Sequence, residues 1–109
     1  MGKYFTFVDR LITLEFFEED TVKATVTIGD DMDKRIDAAF SRLKKPESVE
    51  DKKAEIAGLI GADVTNKILE RLDTVDGYAL DQLLLYIRET YLEAKVKNLQ
   101  AAKAGRSRK

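Results

Sequence analysis

The 109-residue sequence predicts an α+β fold that is mainly α, with an N-terminal antiparallel β-hairpin or meander ahead of about four helices, the last one long. Three observations carry this reading. Residues 21–28 alternate between apolar Val22, Ala24, Val26 and Ile28 and polar Thr21, Lys23, Thr25 and Thr27, the period of a half-buried antiparallel strand. From Met32 onward the apolar residues recur at three- and four-residue spacing, the signature of helices with one buried side. The only proline, Pro46, and the glycines at 61 and 77 divide that helical region into segments.

Taken in order, residues 3–8 are aromatic and β-branched and read as a first strand, which Asp9-Arg10 interrupts as a turn or bulge. Residues 11–17 put Ile12, Leu14 and Phe16 on one face, and Glu18-Glu19-Asp20 turns the chain into the strand at 21–28. These two strands form a hairpin, whose apolar face needs helices or a partner to cover it. Gly29-Asp30-Asp31 offers an acidic helix start, and Met32, Ile36, Ala39, Phe40 and Leu43 define a helix over 31–44. Lys44 and Lys45 suit its negative end, and Pro46 stops it. Ser48 with Asp51 resembles a capping box, opening a second helix to about Leu59 that buries Val49, Ile56, Ala57 and Ile60. Gly61 is its expected C-cap, Asp63 the expected cap of a short third helix, and Val64, Ile68, Leu69 and Leu72 the inward residues of that helix. One domain spans 1–100: hairpin region 1–30, helix 31–45, helical part 48–100. A basic tail at 101–109 is expected to be disordered.

The closing helix, after the separator Asp73–Gly77, carries two apolar stripes. At about 100° per residue, Leu80, Leu84, Ile87, Tyr91 and Ala94 fall on one side. Leu85, Leu92, Val96 and Leu99 fall on another. The first set serves the core. The second is either a further intramolecular contact of a central helix or an interface for an oligomer or partner protein, since an exposed seam of that size is otherwise an aggregation hazard. The helix is expected to run past the body beyond Tyr91.

Composition narrows the function. The chain has no Cys and no His, which removes disulfides, thiolate chemistry, the usual general base and the usual ligands of transition metals. This points to a non-enzyme without cofactors or metals. Neither acidic cluster, Glu18-Glu19-Asp20 or Asp30-Asp31-Asp33, has the spacing of a calcium loop. Residues 1–94 hold 13 Lys and Arg against 20 Asp and Glu, whereas 95–109 hold six basic residues and no acid. Lys103, Arg106, Arg108 and Lys109 are therefore candidate polyanion contacts, and a nucleic-acid-associated regulator is the alternative function. Against it, the tail lacks interleaved aromatics and follows an acidic body. Gly58-Leu-Ile-Gly61 has the spacing of a nucleic-acid-clamping loop but sits in an apolar run without basic flanks, so helix termination explains it better. No apolar run nears the ~20 residues that span a bilayer.

The order of elements resembles a known class. An acidic helix start (Ile28-Gly-Asp-Asp-Met-Asp-Lys-Arg-Ile-Asp-Ala-Ala-Phe40), the stretch Gly58-Leu-Ile-Gly-Ala-Asp-Val-Thr-Asn-Lys-Ile-Leu69 and the closing helix Tyr78–Leu99 follow one another. In this, residues 25–95 are similar to small tail proteins of siphophages of Gram-positive hosts, which include tail assembly chaperones. The resemblance implies a non-enzymatic protein of the host bacterial cytoplasm that self-associates as a homo-oligomer. It also implies binding to the tape-measure protein while tail-tube subunits polymerise around it. It carries over no catalytic residue.

Overall fold

A computed structural model of the chain describes residues 10–42 and 48–107. Two strands are followed by four helices: β1 (Leu11–Phe16), β2 (Val22–Thr27), α1 (Asp30–Arg42), α2 (Val49–Ile60), α3 (Ala62–Leu69) and α4 (Gly77–Ser107). The expected α+β, mainly α architecture is what forms. The strand expected at 3–8, Leu43, the lysines at 44 and 45, and Pro46 lie outside the described residues.

Alternation builds the hairpin. β1 and β2 pair antiparallel, with Ile12 opposite Val26, Leu14 opposite Ala24 and Phe16 opposite Val22 on one face. Leu14, Phe16, Ala24 and Val26 are buried there. The other face pairs Thr13 with Thr25 and Glu15 with Lys23, polar and charge-complementary across the strands. In the connecting loop Phe17 and Asp20 take positive φ (69° and 49°), which bends the chain back in five residues. Arg71, on the segment between α3 and α4, fastens this loop. Its guanidinium donates to the Glu19 carbonyl at 2.9 Å and lies 4.1 Å from the centre of the Phe17 ring.

The helices close over the apolar face of the hairpin. α1 starts with Asp30, Asp31 and Asp33 in its first turn, where carboxylates meet the positive end of the helix. It buries Ile36 and Ala39. Ser48 caps α2 by accepting from the Asp51 N–H at 3.1 Å, as its sequence predicts. Ile56, Leu59 and Ile60 are the buried side of α2, while Val49 and Ala57, expected inside, are half-buried. Gly61 alone joins α2 to α3. At φ 95° it donates to the Ala57 carbonyl at 2.8 Å and its own carbonyl accepts from the Thr65 N–H.

Asp63 is not the cap of α3. The helix begins at Ala62 with Gly61 in the capping position and no side-chain cap, so Asp63 lies inside the first turn. The one-residue corner leaves no extended residue at which Asp63 could cap. Ile68 is buried while Val64, Leu69 and Leu72 are half-buried, and Thr65 is buried with its hydroxyl donating to the Gly61 carbonyl at 2.7 Å. Asp76 caps α4 through the Ala79 N–H at 2.9 Å. α4 then runs 31 residues, about 46 Å, through Ser107. Helical backbone thus continues across residues 101–107, where the sequence reading expects disorder. The molecule is elongated, 58 × 32 × 17 Å, with α4 as its longest element.

Candidate protein-binding face

α4 has one side in the core and one side in solvent. Leu80, Leu84, Ile87 and Tyr91 are each no more than 3% exposed, and they pack with Leu14, Phe16, Val26, Ile56 and Ile68 in a single core. The inner stripe read from the sequence is therefore the structural side.

Polar contacts fix the rotation of the helix. Near its start, Lys52 of α2 pairs with Asp81 at 2.8 Å. In the middle, the Tyr86 hydroxyl donates to the Glu15 carbonyl, and its ring meets Phe16 with centroids 5.4 Å apart. On the opposite edge the Arg88 guanidinium lies 4.9 Å from the centre of the Phe40 ring of α1. Further on, the buried Tyr91 hydroxyl donates to Asp33 Oδ1 at 2.7 Å and accepts from the Gly29 N–H at 3.2 Å. Lys95 Nζ donates to Asp33 Oδ2, also at 2.7 Å. The hydrogen bonds from Lys95 and then Tyr91 hold the Asp33 carboxyl below its ordinary pKa. The bond to Asp33 raises Lys95, and burial raises Tyr91.

Because of this joint, α4 does not leave the body at Tyr91 as the sequence reading expects. Ala94, Lys95 and Asn98 are still half-buried, and Ala94 and Lys97 line a groove with Thr13 and Leu14 of β1. Leu99, Gln100 and Ala101 are the first three consecutive exposed residues after Lys97.

The outward side carries the second stripe. Leu85 is 43% exposed, Leu92 41%, Val96 53% and Leu99 59%. Tyr78, which the sequence reading left out, extends it at 73%. The signal was present: Tyr78, Leu85, Leu92 and Leu99 are each seven residues apart. Among the described residues no group of three or more His, Cys, Asp or Glu could hold a metal ion, and no helix is long and apolar enough to cross a membrane. The side chains of Lys103 and Arg106, and residues 108 and 109, lie outside the description, so the candidate polyanion contacts are not placed. An apolar cleft of about 290 Å³ lies between the hairpin and α4, lined by Phe16, Phe17, Ile68, Leu72, Leu83 and Tyr86. The polar side chains on its wall are Gln82 and Tyr86, whose hydroxyl is engaged by the Glu15 carbonyl. Compared with known proteins, the chain matches no family model, no curated protein and no solved structure.

Proposed function

We propose that this chain is a non-enzymatic protein-binding factor, a tail assembly chaperone of phage tail morphogenesis acting in the host bacterial cytoplasm. The observation that carries the reading is the outward series Leu85, Leu92, Val96 and Leu99 on a helix whose other side is already satisfied by the core. Such a face fits an amphipathic helical segment laid along it, with anchors at helical spacing. A long, largely helical tape-measure protein offers many such segments before tube subunits enclose it. Reversible coverage of those segments, without chemistry, is the mechanism.

The test is coexpression of the chain with a tape-measure protein encoded beside it, reading the soluble yield of the latter. The native chain should raise the yield, and the double variant Leu92→Glu, Val96→Glu should not. Equal yields with and without the native chain, or full activity of the double variant, would overturn the proposal.

A further inference from the structure

We propose that the apolar cleft between the hairpin and α4 is a separate binding site, which takes one aromatic side chain of a peptide segment carrying lysine or arginine on both sides of it. The site shares no residue with the outward stripe of α4 and does not depend on what that stripe binds.

The cleft sets the size and character of the anchor. Its wall is built from Phe16, Phe17, Ile68, Leu72, Leu83 and Tyr86, so an apolar group entering it leaves water on several sides at once. At about 290 Å³ it holds on the order of ten water-sized groups of ~30 Å³ each, the bulk of one aromatic side chain. Phe17 and Tyr86 offer rings for a guest ring to meet in stacked or tilted geometry. The Gln82 amide on the same wall can accept the N–H of an indole, the hydrogen bond that a buried tryptophan requires.

Charge then says what flanks the anchor. Phe17 leads directly into Glu18-Glu19-Asp20, and Leu72 stands in the stretch 70–76 with Glu70, Asp73 and Asp76. Arg71 brings the two stretches together, with its guanidinium over Phe17 and donating to the Glu19 and Asp20 carbonyls. It is the single base of these stretches against six acids. Among the described residues none of the six carboxylates forms an ion pair. Lys23 stands opposite Glu15 across the strands, and Lys67 lies in the last turn of α3. With these neighbours counted, seven acids stand against three bases. The field at the cleft therefore repels an anionic guest and attracts a cationic one. Acids spread over two stretches exceed what one small amine can meet, whereas a chain passing through its anchor presents cations on either side. The basic end of this chain, residues 95–109, contains no aromatic residue, so the occupant is a segment of a different protein.

The experiment uses the full chain. It has no tryptophan, so a tryptophan in the probe reports binding without background. The probe is a pentapeptide amide with one tryptophan between two pairs of lysines, titrated with the chain up to about 1 mM, where a single anchor is detectable. Its emission should shift to the blue and saturate. Affinity should fall several-fold as salt rises from about 0.01 M to about 1 M, because the Debye length shrinks from ~30 Å to ~3 Å. The same peptide with glutamates for lysines should not bind. Ala79→Leu enlarges a half-buried residue on the wall, and the double variant Glu18→Gln, Glu19→Gln removes two carboxylates from exposed positions. Each should weaken binding by about fivefold or more with an unchanged circular dichroism spectrum. The variant Leu92→Glu, Val96→Glu should bind the probe as the native chain does. An emission that never saturates, equal binding of the glutamate peptide, or native affinity in the Glu18, Glu19 variant overturns the proposal. Loss of binding in the Leu92, Val96 variant overturns it as well, since the peptide would then lie on the outward stripe.

Discussion

Replacing Tyr91 by Phe isolates the joint between α4 and the start of α1. The ring is 1% exposed and keeps its packing, so the substitution deletes one oxygen and little else. That oxygen donates at 2.7 Å to a carboxylate and accepts the Gly29 N–H at 3.2 Å. A hydrogen bond to a charged group contributes about 1.5–3 kcal/mol. Asp33 keeps Lys95, and its side chain is 30% exposed, so water can replace part of what is lost. The expected cost is therefore about 2 kcal/mol, toward the low end, against a total of roughly 5–15 kcal/mol for a domain of this size. In urea titrations followed by circular dichroism the midpoint should fall with the slope unchanged. A double-mutant cycle with Asp33→Asn should show the two changes coupled by at least ~1 kcal/mol. A loss below about 0.5 kcal/mol, or additive effects, would show that the hydroxyl is not what ties the helix down.

Three further outcomes follow from the structure. The lowered pKa of Asp33 gives stability that is present above the ordinary carboxylate range and is lost as pH falls through the folded value. The raised Tyr91 and Lys95 give stability present below their ordinary values and lost as pH rises through the folded ones. Thermal melts should accordingly be flat near neutrality and decline in acid and in strong alkali. Tyr91→Phe should remove only part of the acid dependence, because Lys95 remains. Gly61→Ala meets no atom within 4 Å, so its cost is conformational, about 1–3 kcal/mol, and appears as a lower melting temperature with the core unaltered. If the proposed function holds, deleting 101–109 leaves tape-measure protection intact, because Leu85, Leu92, Val96 and Leu99 remain. If salt-sensitive nucleic-acid binding is measurable in the full chain and vanishes with this deletion, the regulatory alternative gains.

Local signals were the legible ones. The alternation at 22–28 and the pair Ser48 and Asp51 specify their own surroundings, and each appears as its residues require. Leu80, Leu84, Ile87 and Tyr91 could likewise be assigned to one side from spacing alone. Contacts that depend on where distant segments meet could not. Arg71 reads as a surface cation, and only the fold brings it to the hairpin loop some fifty residues earlier. Asp33 reads as a helix-start acid, and nothing local says that Tyr91 and Lys95 converge on it. For the same reason the helix was expected to leave the body too early. Asp63 falls inside the first turn of α3 instead of capping it because the corner at Gly61 is one residue long, a fact of backbone geometry rather than of pattern. The outward stripe was legible as surplus apolar surface, and the seven-residue spacing that joins Leu85, Leu92 and Leu99 reaches Tyr78 as well.

The contacts that close the hairpin onto α4 link residues 62 and 71 positions apart. A chain emerging from the ribosome therefore makes its two strands long before it makes the helix that covers them. At roughly 5–20 residues per second the interval from Gly29 to Tyr91 is on the order of 3–12 s. During that time Leu14, Phe16 and Val26 have α1, α2 and α3 for shelter, but not the Leu84 and Ile87 side of α4. Isolated hairpins are marginal in water, so a nascent chain that has not reached α4 holds its sheet weakly. The last helix is thus the step that commits the chain to its fold, and translational pausing before it would lengthen the window in which these strands can pair with the wrong neighbour.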